Sequence, residues 1–443
     1  MHRRRFLNRL ATTSVLPLAA PGLPHLKDDP QYSGDERRLS SDDRLARLRE
    51  DLATATDDAS YWRRVRQEFQ LQPGLIHLNC GSLGATPRLV TDAVAAWAAE
   101  IEGNPPGKVF AWGDAEMDPV REKAAAFLGA EAGEIAITRN TTEGMNAVAT
   151  GLDLRPGDQL LTTNHEHGGG MTCWQYLRKH RGVEIVYVEL PERVNSKADI
   201  LNRITDKITP RTRACSFSHI DTITGTVMPI PEIAELVHAR DILFVCDGAQ
   251  APGMVPVDLH ALGVDAYACS GHKWMLAPKG TGLLYVRKES QDRIHPPFLY
   301  SGYAGYTASG GTRGVDRVLG QGLAIDFFNV IGRERIATRC RQLTAQLRAH
   351  LDGMDGIRQL TPDDSDLNAA LFTYALERGT SGEIRKRMDV DYNIQIKSTQ
   401  GTYAYCEEPG LNATNYNAVR FSTHIYNDEQ DIDRAMEAFR AAI

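Results

Sequence analysis

A lysine that follows a short apolar run is the residue in this sequence best suited to covalent chemistry. Lys273 stands in the string Ser270-Gly271-His272-Lys273-Trp274, directly after the strand-like run Asp265–Cys269. A lysine amine is the nucleophile with which enzymes form Schiff bases to carbonyl compounds. Taken alone, the string also fits a surface lysine, so its meaning depends on the residues that accompany it.

An acidic residue ends another apolar run 26 residues earlier in the chain. Asp247 follows the run Ile242–Cys246 and begins the string Asp247-Gly248-Ala249-Gln250. A carboxylate that is buried without a partner is costly. One that faces a protonated ring nitrogen is compensated and keeps that nitrogen charged. The alternative is a helix N-cap that follows the strand.

A third polar string could bind an anion. Asn140-Thr141-Thr142-Glu143-Gly144 lies between the strand-like run Glu134–Thr138 and a helical stretch. Hydroxyls and free backbone N–H groups at the start of a helix form an anion site. The alternative is a plain capping box with threonine at the cap and an acid soon after it.

A fourth string, Asn164-His165-Glu166-His167, follows the run Gln159–Thr163. An imidazole at this position could stack on a planar cofactor. The His-x-His spacing also suggests a metal site, but the next residues, Gly168-Gly169-Gly170, supply no third ligand. We therefore expect no bound metal.

These strings belong to a region in which strand-like and helical patterns alternate. Further strand-like runs are Glu184–Val188, Arg213–Phe217 and Gly282–Val286, and the helical stretches are Glu143–Gly151, Met171–Arg181 and Ile230–Arg240. Such alternation predicts an α/β layer with a mostly parallel sheet. Ligands of such sheets bind at the carboxyl ends of the strands, so the four polar strings should meet at one edge.

The pattern changes near Leu319. A long helical pattern covers Leu319–Leu351, and shorter elements follow it: a strand at Leu371–Leu376, a helix at Ser381–Met388, strands at Asn393–Ile396 and Ala418–Ser422, and a final helix at Glu429–Ala442. This arrangement predicts a smaller α+β domain.

The N-terminus resembles an export signal. Arg3, Arg4 and Arg5 are followed by Phe6-Leu7 and by a mildly apolar stretch, Leu10–Leu23. A basic head before a short apolar segment is typical of a targeting sequence, and paired arginines indicate the twin-arginine route. A frayed basic tail is the alternative. We expect export of the folded protein by the twin-arginine translocation machinery and a periplasmic location.

The chain is accordingly divided into four parts. Residues 1–26 are the signal segment, and residues 27–74 are a linker and a helix (Asp42–Ala53) that pack with the small domain. Residues 75–318 form the large, cofactor-binding domain, and residues 319–443 form the C-terminal small domain.

Composition excludes several classes of protein. The 443 residues are 42% hydrophobic and 24% charged, with a net charge of −7, the balance of an ordinary globular chain. There is no basic tract with interleaved aromatics, so nucleic acid is not an expected partner. An apolar run long enough to span a bilayer is absent, so no stable membrane insertion is expected. The seven cysteines form no CxxC pair, and they predict neither a disulfide framework nor a zinc site.

Together, the strings resemble the class V aminotransferase-fold enzymes that depend on pyridoxal 5′-phosphate (PLP), in the branch related to isopenicillin N epimerase. The resemblance runs from about Leu75 to the end and rests on IHLNCGSLGATP, NTTEG, NHEHGGG, DGAQAPG, SGHKW, SGGTRG and VRFSTHIYNDEQDID. It implies PLP fold type I (aspartate aminotransferase-like). That fold is an α/β large domain with a mostly parallel seven-stranded sheet and a smaller α+β domain, in a homodimer.

The resemblance also implies roles for individual residues. Lys273 would be the Schiff-base lysine, Asp247 would pair with the pyridine nitrogen, and His165 would stack on the ring. Gln250 would lie near the ring oxygen, and Arg420 would clamp the substrate carboxylate, a bidentate task that suits a guanidinium group. The residues implied to hold the phosphate are Thr141, Thr142, Ser270, His272 and, from the neighbouring subunit, Thr312.

Two departures from the family pattern leave roles open. The string His219-Ile220-Asp221-Thr222 stands where many relatives carry Asn or a small polar residue close to the ring. His167 stands where epimerase relatives often carry another residue. The Tyr- and Gly-rich segment 301–311, with Tyr303 and Tyr306, is expected to shape a roomy substrate entrance.

The type of reaction stays open at the level of sequence. Transamination, epimerisation, decarboxylation and elimination at Cα of an amino acid or an amino-acid-containing compound all fit. A cysteine desulfurase would use Cys406, 14 residues before Arg420, but Glu407 and Glu408 beside it would suppress the thiolate. A non-catalytic PLP-fold binding protein is a further alternative, against which the intact Lys273 argues. Among exported relatives, the chain is similar to those that modify a glutamyl group of a pyoverdine siderophore precursor.

Overall fold

The computed structural model describes residues 40–300, 302–303, 310–399 and 416–443, apart from the side chain of Asp114. The expected signal segment, Cys406 and Tyr306 lie outside these described residues. No helix in these ranges is long and apolar enough to cross a membrane.

The helices are α1 (Ser41–Ala53), α2 (Asp58–Gln67), α3 (Arg88–Gly103), α4 (Pro105–Ala115), α5 (Met117–Leu128), α6 (Thr141–Gly151), α7 (Gly168–Arg181), α8 (Lys197–Lys207), α9 (Ile230–His238), α10 (Leu259–Leu262), α11 (Val315–Ile331), α12 (Arg333–Leu351), α13 (Ser381–Tyr392) and α14 (Glu429–Ala442). The strands are β1 (Ile76–His77), β2 (Ile135–Thr138), β3 (Gln159–Thr163), β4 (Glu184–Val188), β5 (Thr212–Ser218), β6 (Leu243–Asp247), β7 (Ala266–Ser270), β8 (Gly282–Val286), β9 (Ile357–Gln359), β10 (Leu371–Leu376), β11 (Ile394–Gln395), β12 (Lys397–Thr399) and β13 (Ala418–Ser422).

The large sheet has seven strands in the order β2-β8-β7-β6-β5-β3-β4. The strands β4, β3, β5, β6 and β7 run parallel, and β8 is antiparallel to both of its neighbours. The central strands are buried on both faces, since helices cover the sheet on each side. The sequence prediction of a mostly parallel seven-stranded sheet is therefore confirmed.

The strand ends differ from the prediction in one useful respect. β6 and β7 each extend one residue further than expected, so Asp247 and Ser270 are the last residues of their strands. Their backbones are consequently fixed by the sheet ladder, because Asp247 pairs with Ser218 of β5 and with Ala268 of β7.

A close approach between α6 and β7 positions the start of that helix. A Cβ atom at Gly144 would lie 2.7 Å from Cβ of Ala268, which is closer than side chains pack. Glycine at this point therefore lets α6 lie against the strand that leads to the SGHKW string.

A second, antiparallel sheet has the order β12-β13-β10-β9. The helices α12, α13 and α14 pack against it around a separate hydrophobic cluster that includes Leu343, Phe372, Phe421 and Phe439. The N-terminal segment joins this part of the fold through a parallel β1–β11 pair and through an ion pair from Arg66 of α2 to Asp431 of α14.

The expected continuous helix over Leu319–Leu351 is wrong. The chain forms α11 and α12, which meet at Gly332, where the backbone has φ +97°. The buried side of α11 packs into the core of the large sheet with residues such as Phe327 and Phe328. The first part of α12, with Ile336 and Cys340, packs on the same core, and its later part, with Leu343 and Leu347, packs on the core of the small sheet. The helical period continues across the break, so the pattern alone did not reveal it.

The break between α11 and α12 can be tested by substituting Gly332. An alanine there must adopt a positive φ, which costs about 1–3 kcal/mol for a residue with a Cβ atom. Gly332→Ala should therefore lower the free energy of unfolding by about that amount, as measured by urea denaturation. Gly103→Ala is the matched control, since open space surrounds Gly103 and its φ is not positive. An unchanged or raised stability of Gly332→Ala would contradict the assigned backbone.

Candidate active site

The four polar strings meet at the carboxyl edge of the large sheet. Asp247 and Ser270 end adjacent strands, and Lys273 follows Ser270 by three residues. The loop that carries His165 follows β3, which lies two strands from β6 in the large sheet. The edge therefore gathers an amine, a carboxylate, an imidazole and several hydroxyls.

The amine of Lys273 loses its proton more readily than an ordinary lysine. Its pKa is lowered to about 8 by burial and by the Arg420 guanidinium, against the opposite effect of the Asp247 carboxylate. Among the described residues, no hydrogen bond or ion pair engages its Nζ atom. A lysine with these properties is a competent nucleophile and proton acceptor.

Asp247 is a buried acid, 4% exposed. Burial raises the pKa of its carboxyl group, while Lys273 and the backbone N–H of Ala249 lower it. That N–H donates to Oδ1 over 2.9 Å. A Cβ atom at Gly170 would lie 2.6 Å from Oδ2, so glycine at this position allows the start of α7 to pack against the carboxylate. The Ala249 contact closes a turn, and in the described chain the next helix after β6 begins only at Leu259, so the helix-cap alternative for Asp247 is wrong.

His165 is held as a rigid, neutral imidazole. Its side chain is 1% exposed, and burial lowers its pKa, with Asp221 acting in the opposite direction. Nε2 lies 2.8 Å from Oη of Tyr416, whose ring is nearly perpendicular to the imidazole at 82°. Among the described residues, its Nδ1 atom has no hydrogen-bond partner. Tyr416 carried no signal in the sequence.

The hydroxyl groups at the start of α6 point at the end of β7. The backbone N–H of Thr141 donates to Ser270 Oγ over 3.0 Å, and the two hydroxyls lie 2.8 Å apart. The cap itself is Asn140, whose Oδ1 accepts from the N–H of Glu143 over 2.8 Å. The expected threonine cap is therefore wrong, because the helix begins one residue earlier, which leaves the Thr141 hydroxyl available to this cluster.

Two more of the expected anion-binding residues border the same cluster. The Nδ1 atom of His272 is buried and lacks a hydrogen-bond partner within the described ranges, and burial lowers the pKa of this imidazole to about 4. Thr142 lies near the start of α7, since a Cβ atom at Gly169 would be 2.6 Å from Thr142 Oγ1. The amino ends of α6 and α7 thus converge, which favours an anion.

Gln250 forms part of the wall between the two sheets. Its Nε2 donates to the carbonyl of Gly81 over 2.9 Å, and its Oε1 accepts from Trp274 Nε1 over 2.8 Å. A longer contact of 3.4 Å joins Nε2 to Thr222 Oγ1. The side chain is therefore fixed by the protein on both sides of its amide.

Arg420 comes from the small sheet and reaches the edge of the large one. It lies on β13 and is 2% exposed. Its Nη1 donates to the carbonyl oxygen of Thr222 over 2.9 Å and to the Thr222 hydroxyl over 2.5 Å, and Nη2 contacts Ser82 Oγ at 3.4 Å. Because Thr222 follows β5 of the large sheet, the guanidinium group bridges the two parts of the fold.

The segment around Gly84 packs against the backbone of His272 and Lys273. The N–H of Gly84 donates to the carbonyl of His272 over 2.9 Å. A Cβ atom at Gly84 would lie 2.1 Å from the carbonyl oxygen of Lys273, so no other residue fits without displacing the lysine backbone.

Positive charge is concentrated around His167, the N-cap of α7. Burial, together with the charges of Lys273, Arg420 and Lys397, lowers the pKa of this imidazole to about 4. Lys397 of β12 is the cross-strand partner of Arg420, and side chains of such pairs share one face of a sheet. Three cations around one neutral imidazole favour an acidic ligand.

Asp221 and His219, in the string that departs from the family pattern, both form contacts within the protein. Asp221 is buried, and its carboxylate accepts the backbone N–H groups of Ile223 at 2.7 Å, Thr224 at 2.7 Å and Thr226 at 3.0 Å. Its charge therefore stabilises a turn. His219 Nδ1 lies 3.0 Å from Tyr267 Oη, and burial lowers the pKa of this imidazole to about 4.

One expected residue does not enter this cluster within the described chain: Thr312 is exposed, just before α11. Cys406, which a desulfurase would use, lies outside the described residues. The sequence analysis also missed Thr222, Tyr416 and Lys397. Thr222 stood in a noted string, whereas nothing in the sequence marked Lys397.

Comparisons with known proteins agree with this geometry. Residues 84–435 match the family model "Aminotransferase class-V". The chain is 31% identical over 409 residues to "Isopenicillin N epimerase" of Amycolatopsis lactamdurans, an alignment that covers 86% of this chain and 98% of the relative. It is 30% identical over 388 residues to "Probable cysteine desulfurase" of Methanothermobacter thermautotrophicus, covering 83% of this chain and 94% of that one.

Solved structures share the fold. The cysteine desulfurase CsdA of Escherichia coli has a TM-score of 0.72 at 23% identity and covers 86% of this chain and 98% of its own. The cysteine desulfurase of Thermococcus onnurineus has a TM-score of 0.71 at 23% identity and covers 85% of this chain and 96% of its own. These likenesses establish PLP fold type I.

The residues present fit PLP. The amine of Lys273 would condense with the carbonyl of PLP, and the buried carboxylate of Asp247 would pair with its ring nitrogen. The hydroxyl cluster at the start of α6 would hold its phosphate. Two buried imidazole nitrogens, of His165 and His272, lack a protein partner within the described ranges and lie where a ligand would be expected. The chain is therefore a PLP-dependent enzyme that belongs to the class V aminotransferase family.

Proposed function

We propose that this enzyme acts at Cα of an amino acid, or of an amino-acid residue in a larger compound, with Lys273 as the covalent attachment point of PLP. The observation that carries the proposal is the position of three groups around one edge: the Lys273 amine, the buried Asp247 carboxylate and the Arg420 guanidinium. When bound, PLP supplies a carbonyl that condenses with amines and a ring that accepts electrons from Cα.

The chain's own residues would then bind and orient the substrate. Arg420, fixed by Thr222, would pair with the substrate carboxylate. Asp247 would face the ring nitrogen, and His165, fixed by Tyr416, would cover one face of the ring. The hydroxyls of Thr141 and Ser270 would hold the phosphate together with Thr142 and His272. Once displaced, the Lys273 amine can accept a proton at neutral or mildly alkaline pH because its pKa is about 8.

The positive charge of Arg420 and Lys397 narrows the class of substrate. Lys397 and Arg420 lie side by side, and like charges placed opposite each other in a sheet are destabilising. A ligand with at least one carboxylate offsets that repulsion. We therefore propose an acidic amino acid or an acidic amino-acyl group, of which a glutamyl group in a siderophore precursor such as that of pyoverdine is one example.

A cysteine desulfurase remains the second candidate, because one relative at 30% identity carries the description "Probable cysteine desulfurase". It would require Cys406 as the sulfur acceptor. Epimerisation is supported to the same degree by the relative at 31% identity. The two acids beside Cys406 argue against the desulfurase reaction.

We also propose a homodimer in which Thr312 reaches the phosphate of the partner site. The exposure of Thr312 in the single chain supports this arrangement. Export through the twin-arginine machinery to the periplasm is proposed on the N-terminal arginines, and it would bring the enzyme to siderophore precursors in that compartment.

The cofactor site is tested by reduction. Borohydride should join PLP irreversibly to Nζ of Lys273, and peptide mass analysis should find the label in the SGHKW peptide. Lys273→Ala should bind PLP without forming that bond. Lys279→Ala, which alters a nearby exposed lysine that donates to the carbonyl of Gly84, should still be labelled. A label on Lys279 or Lys288 in the wild type would refute the assignment.

The substrate clamp and the cysteine separate the candidate reactions. Arg420→Ala should weaken L-glutamate binding, followed by the change in near-visible absorbance, by about 2–5 kcal/mol, the cost of removing one partner of a desolvated charge pair. The exposed Arg385 of α13 provides the matched control, Arg385→Ala. Cys406→Ser should leave turnover nearly unchanged. Sulfide release from L-cysteine by the wild type, abolished in Cys406→Ser, would instead establish the desulfurase.

Export is tested with the N-terminal arginines. Replacing Arg3, Arg4 and Arg5 by lysine should leave folded, PLP-loaded protein in the cytoplasm, because the twin-arginine route requires the arginine pair. Cell fractionation measures the outcome, and Arg37→Lys with Arg38→Lys, downstream of the signal, is the control. Wild-type levels of the triple variant in the periplasm would rule out this route.

A further inference from the structure

A fully buried histidine follows the strand that carries Arg420, and the proposed chemistry does not use it. His424 comes two residues after the end of β13 and is 0% exposed. An imidazole buried in this way needs a partner at each ring nitrogen, because an unpaired polar atom in the interior is costly. Both nitrogens of His424 have such a partner, and the two partners together fix its tautomer.

The partners place the hydrogen of this imidazole on Nε2. The backbone N–H of Ile425 donates to Nδ1 over 2.8 Å, so Nδ1 is an acceptor and carries no hydrogen. Nε2 lies 3.0 Å from the carbonyl oxygen of Trp274, which can only accept. A neutral imidazole has one donor and one acceptor nitrogen, so Nε2 donates to Trp274. Burial favours the same neutral form, since it lowers the pKa of His424 to about 3.

The Trp274 carbonyl belongs to the segment that carries Lys273. This segment joins β7 to β8 and forms turns rather than a helix or a strand. Its backbone is held by contacts from distant parts of the chain: the N–H of Gly84 donates to the carbonyl of His272 over 2.9 Å, and His424 donates to that of Trp274. Lys273 lies between these two anchored carbonyl groups.

The Trp274 carbonyl is enclosed by protein. Trp274 is 0% exposed, and a Cβ atom at Gly253 would lie 2.2 Å from its carbonyl oxygen. Among the residues that the structure describes, no backbone N–H donates to this oxygen. Buried carbonyl groups of native proteins are almost always paired, and the hydrogen bond from His424 meets that requirement here.

The imidazole is held in this orientation by neighbouring rings. Its plane is 16° from that of Tyr426, with the ring centroids 5.6 Å apart, and Tyr426 stacks in turn on His77 at 5.4 Å. The indole of Trp274 is tilted by 37° to the imidazole, with the centroids 5.7 Å apart. Rotation of the imidazole would disrupt these contacts, so Nε2 stays directed at the carbonyl oxygen.

The amine of Lys273 depends on its backbone for its position. Within the described ranges, no hydrogen bond or ion pair engages Nζ. The charges of Asp247 and Arg420 nevertheless act on this amine, so both groups lie near it. A displacement of the Lys273 backbone would change these distances.

We propose that His424 is a positioning residue, which donates its Nε2 hydrogen to the Trp274 carbonyl and thereby fixes the backbone that presents the Lys273 amine. The inference rests on the proposed function, in which Lys273 binds PLP and Arg420 binds the substrate carboxylate. Arg420 and His424 belong to one segment, β13 and the residues that follow it. The small sheet therefore positions the amine as well as the carboxylate-binding group.

Hydrogen exchange of the lysine segment tests the hydrogen bond without cofactor. Backbone N–H groups within residues 271–277 are hydrogen-bonded, which slows their exchange with solvent. His424→Phe keeps a ring in the stack but removes the donor. In the PLP-free variant, exchange of residues 270–277 should therefore accelerate about tenfold. Mass spectrometry of peptic peptides measures the rate, and peptides from β3 report any global unfolding.

Further variants separate hydrogen-bond donation from packing. His424→Gln carries an amide N–H that can reach the Trp274 carbonyl, so it should restore most of the slow exchange. Tyr426→Phe, in the stacked and equally buried neighbour, is the matched control and should exchange like the wild type in this segment. If His424→Phe does not fold, His424→Asn replaces it, because the shorter amide does not reach Trp274. Equal acceleration in the donor-free variant and in His424→Gln, or none in either, would overturn the proposal.

Cofactor binding gives a second readout. Pyridoxine 5′-phosphate has the ring and phosphate of PLP but an alcohol in place of the aldehyde, so it binds without reacting with an amine. Calorimetry should show that His424→Phe binds this compound like the wild type, because the hydroxyl cluster at the start of α6 is unchanged. The rate at which the PLP-free variant combines with PLP, followed by near-visible absorbance, should fall roughly ten- to a hundredfold, because the amine is misplaced. Equal losses for the two compounds would mean that His424 supports the fold alone, and the proposal would fail.

These outcomes are distinguishable from a failure of the proposed function. A borohydride label on another lysine would refute that function, yet the exchange experiment would still test the hydrogen bond to the Lys273 segment. A normal label on Lys273, together with wild-type exchange and wild-type PLP rates in His424→Phe, would refute this inference alone.

Discussion

The placement of Asp247 at the last position of a central, fully buried strand is the constraint on which the site depends. A carboxylate there loses most of its hydration, and its charge must be compensated from nearby. The chain meets that requirement with the N–H of Ala249 and with the ammonium group of Lys273. The same proximity keeps the lysine pKa from falling further. Acid and amine are therefore a mutually dependent pair, and the fold around them is arranged to hold both.

The rest of the site depends on the contact between the large sheet and the small antiparallel sheet. Arg420 is rooted in the small antiparallel sheet, yet its hydrogen bonds go to Thr222, which follows a strand of the large one. The glycine-containing segment before α3 fills the space between them, with Gly81 bonded to Gln250 and Gly84 packed on Lys273. A shift of either sheet would separate the carboxylate-binding group from the amine. The arginine proposed to bind the substrate and the lysine amine are thus held together by the packing of the two sheets rather than by one loop.

Charge is distributed unevenly within this small volume. The imidazoles of His167, His219 and His272 are all neutral because burial lowers their pKa values to about 4. Cations are concentrated on Arg420 and on its cross-strand partner Lys397, while the carboxylate of Asp247 lies at the end of β6. Arg420 and Asp247 are both buried.

The sequence by itself determined the strands, the family and the chemical types at the strand ends. Apolar runs bounded by turn residues gave the large sheet, because a strand buried on both faces must be continuously apolar. The strings around Asp247, Ser270 and Lys273 were readable because each joins a strand to its loop. The tertiary structure decided what lies between distant segments: Tyr416 against His165, Thr222 against Arg420, and the break at Gly332. It also decided that Asp221 stabilises a turn. Periodicity reports which face of an element is buried, but it carries no information on which other element covers that face. Charge and protonation at the site depend on those three-dimensional neighbours.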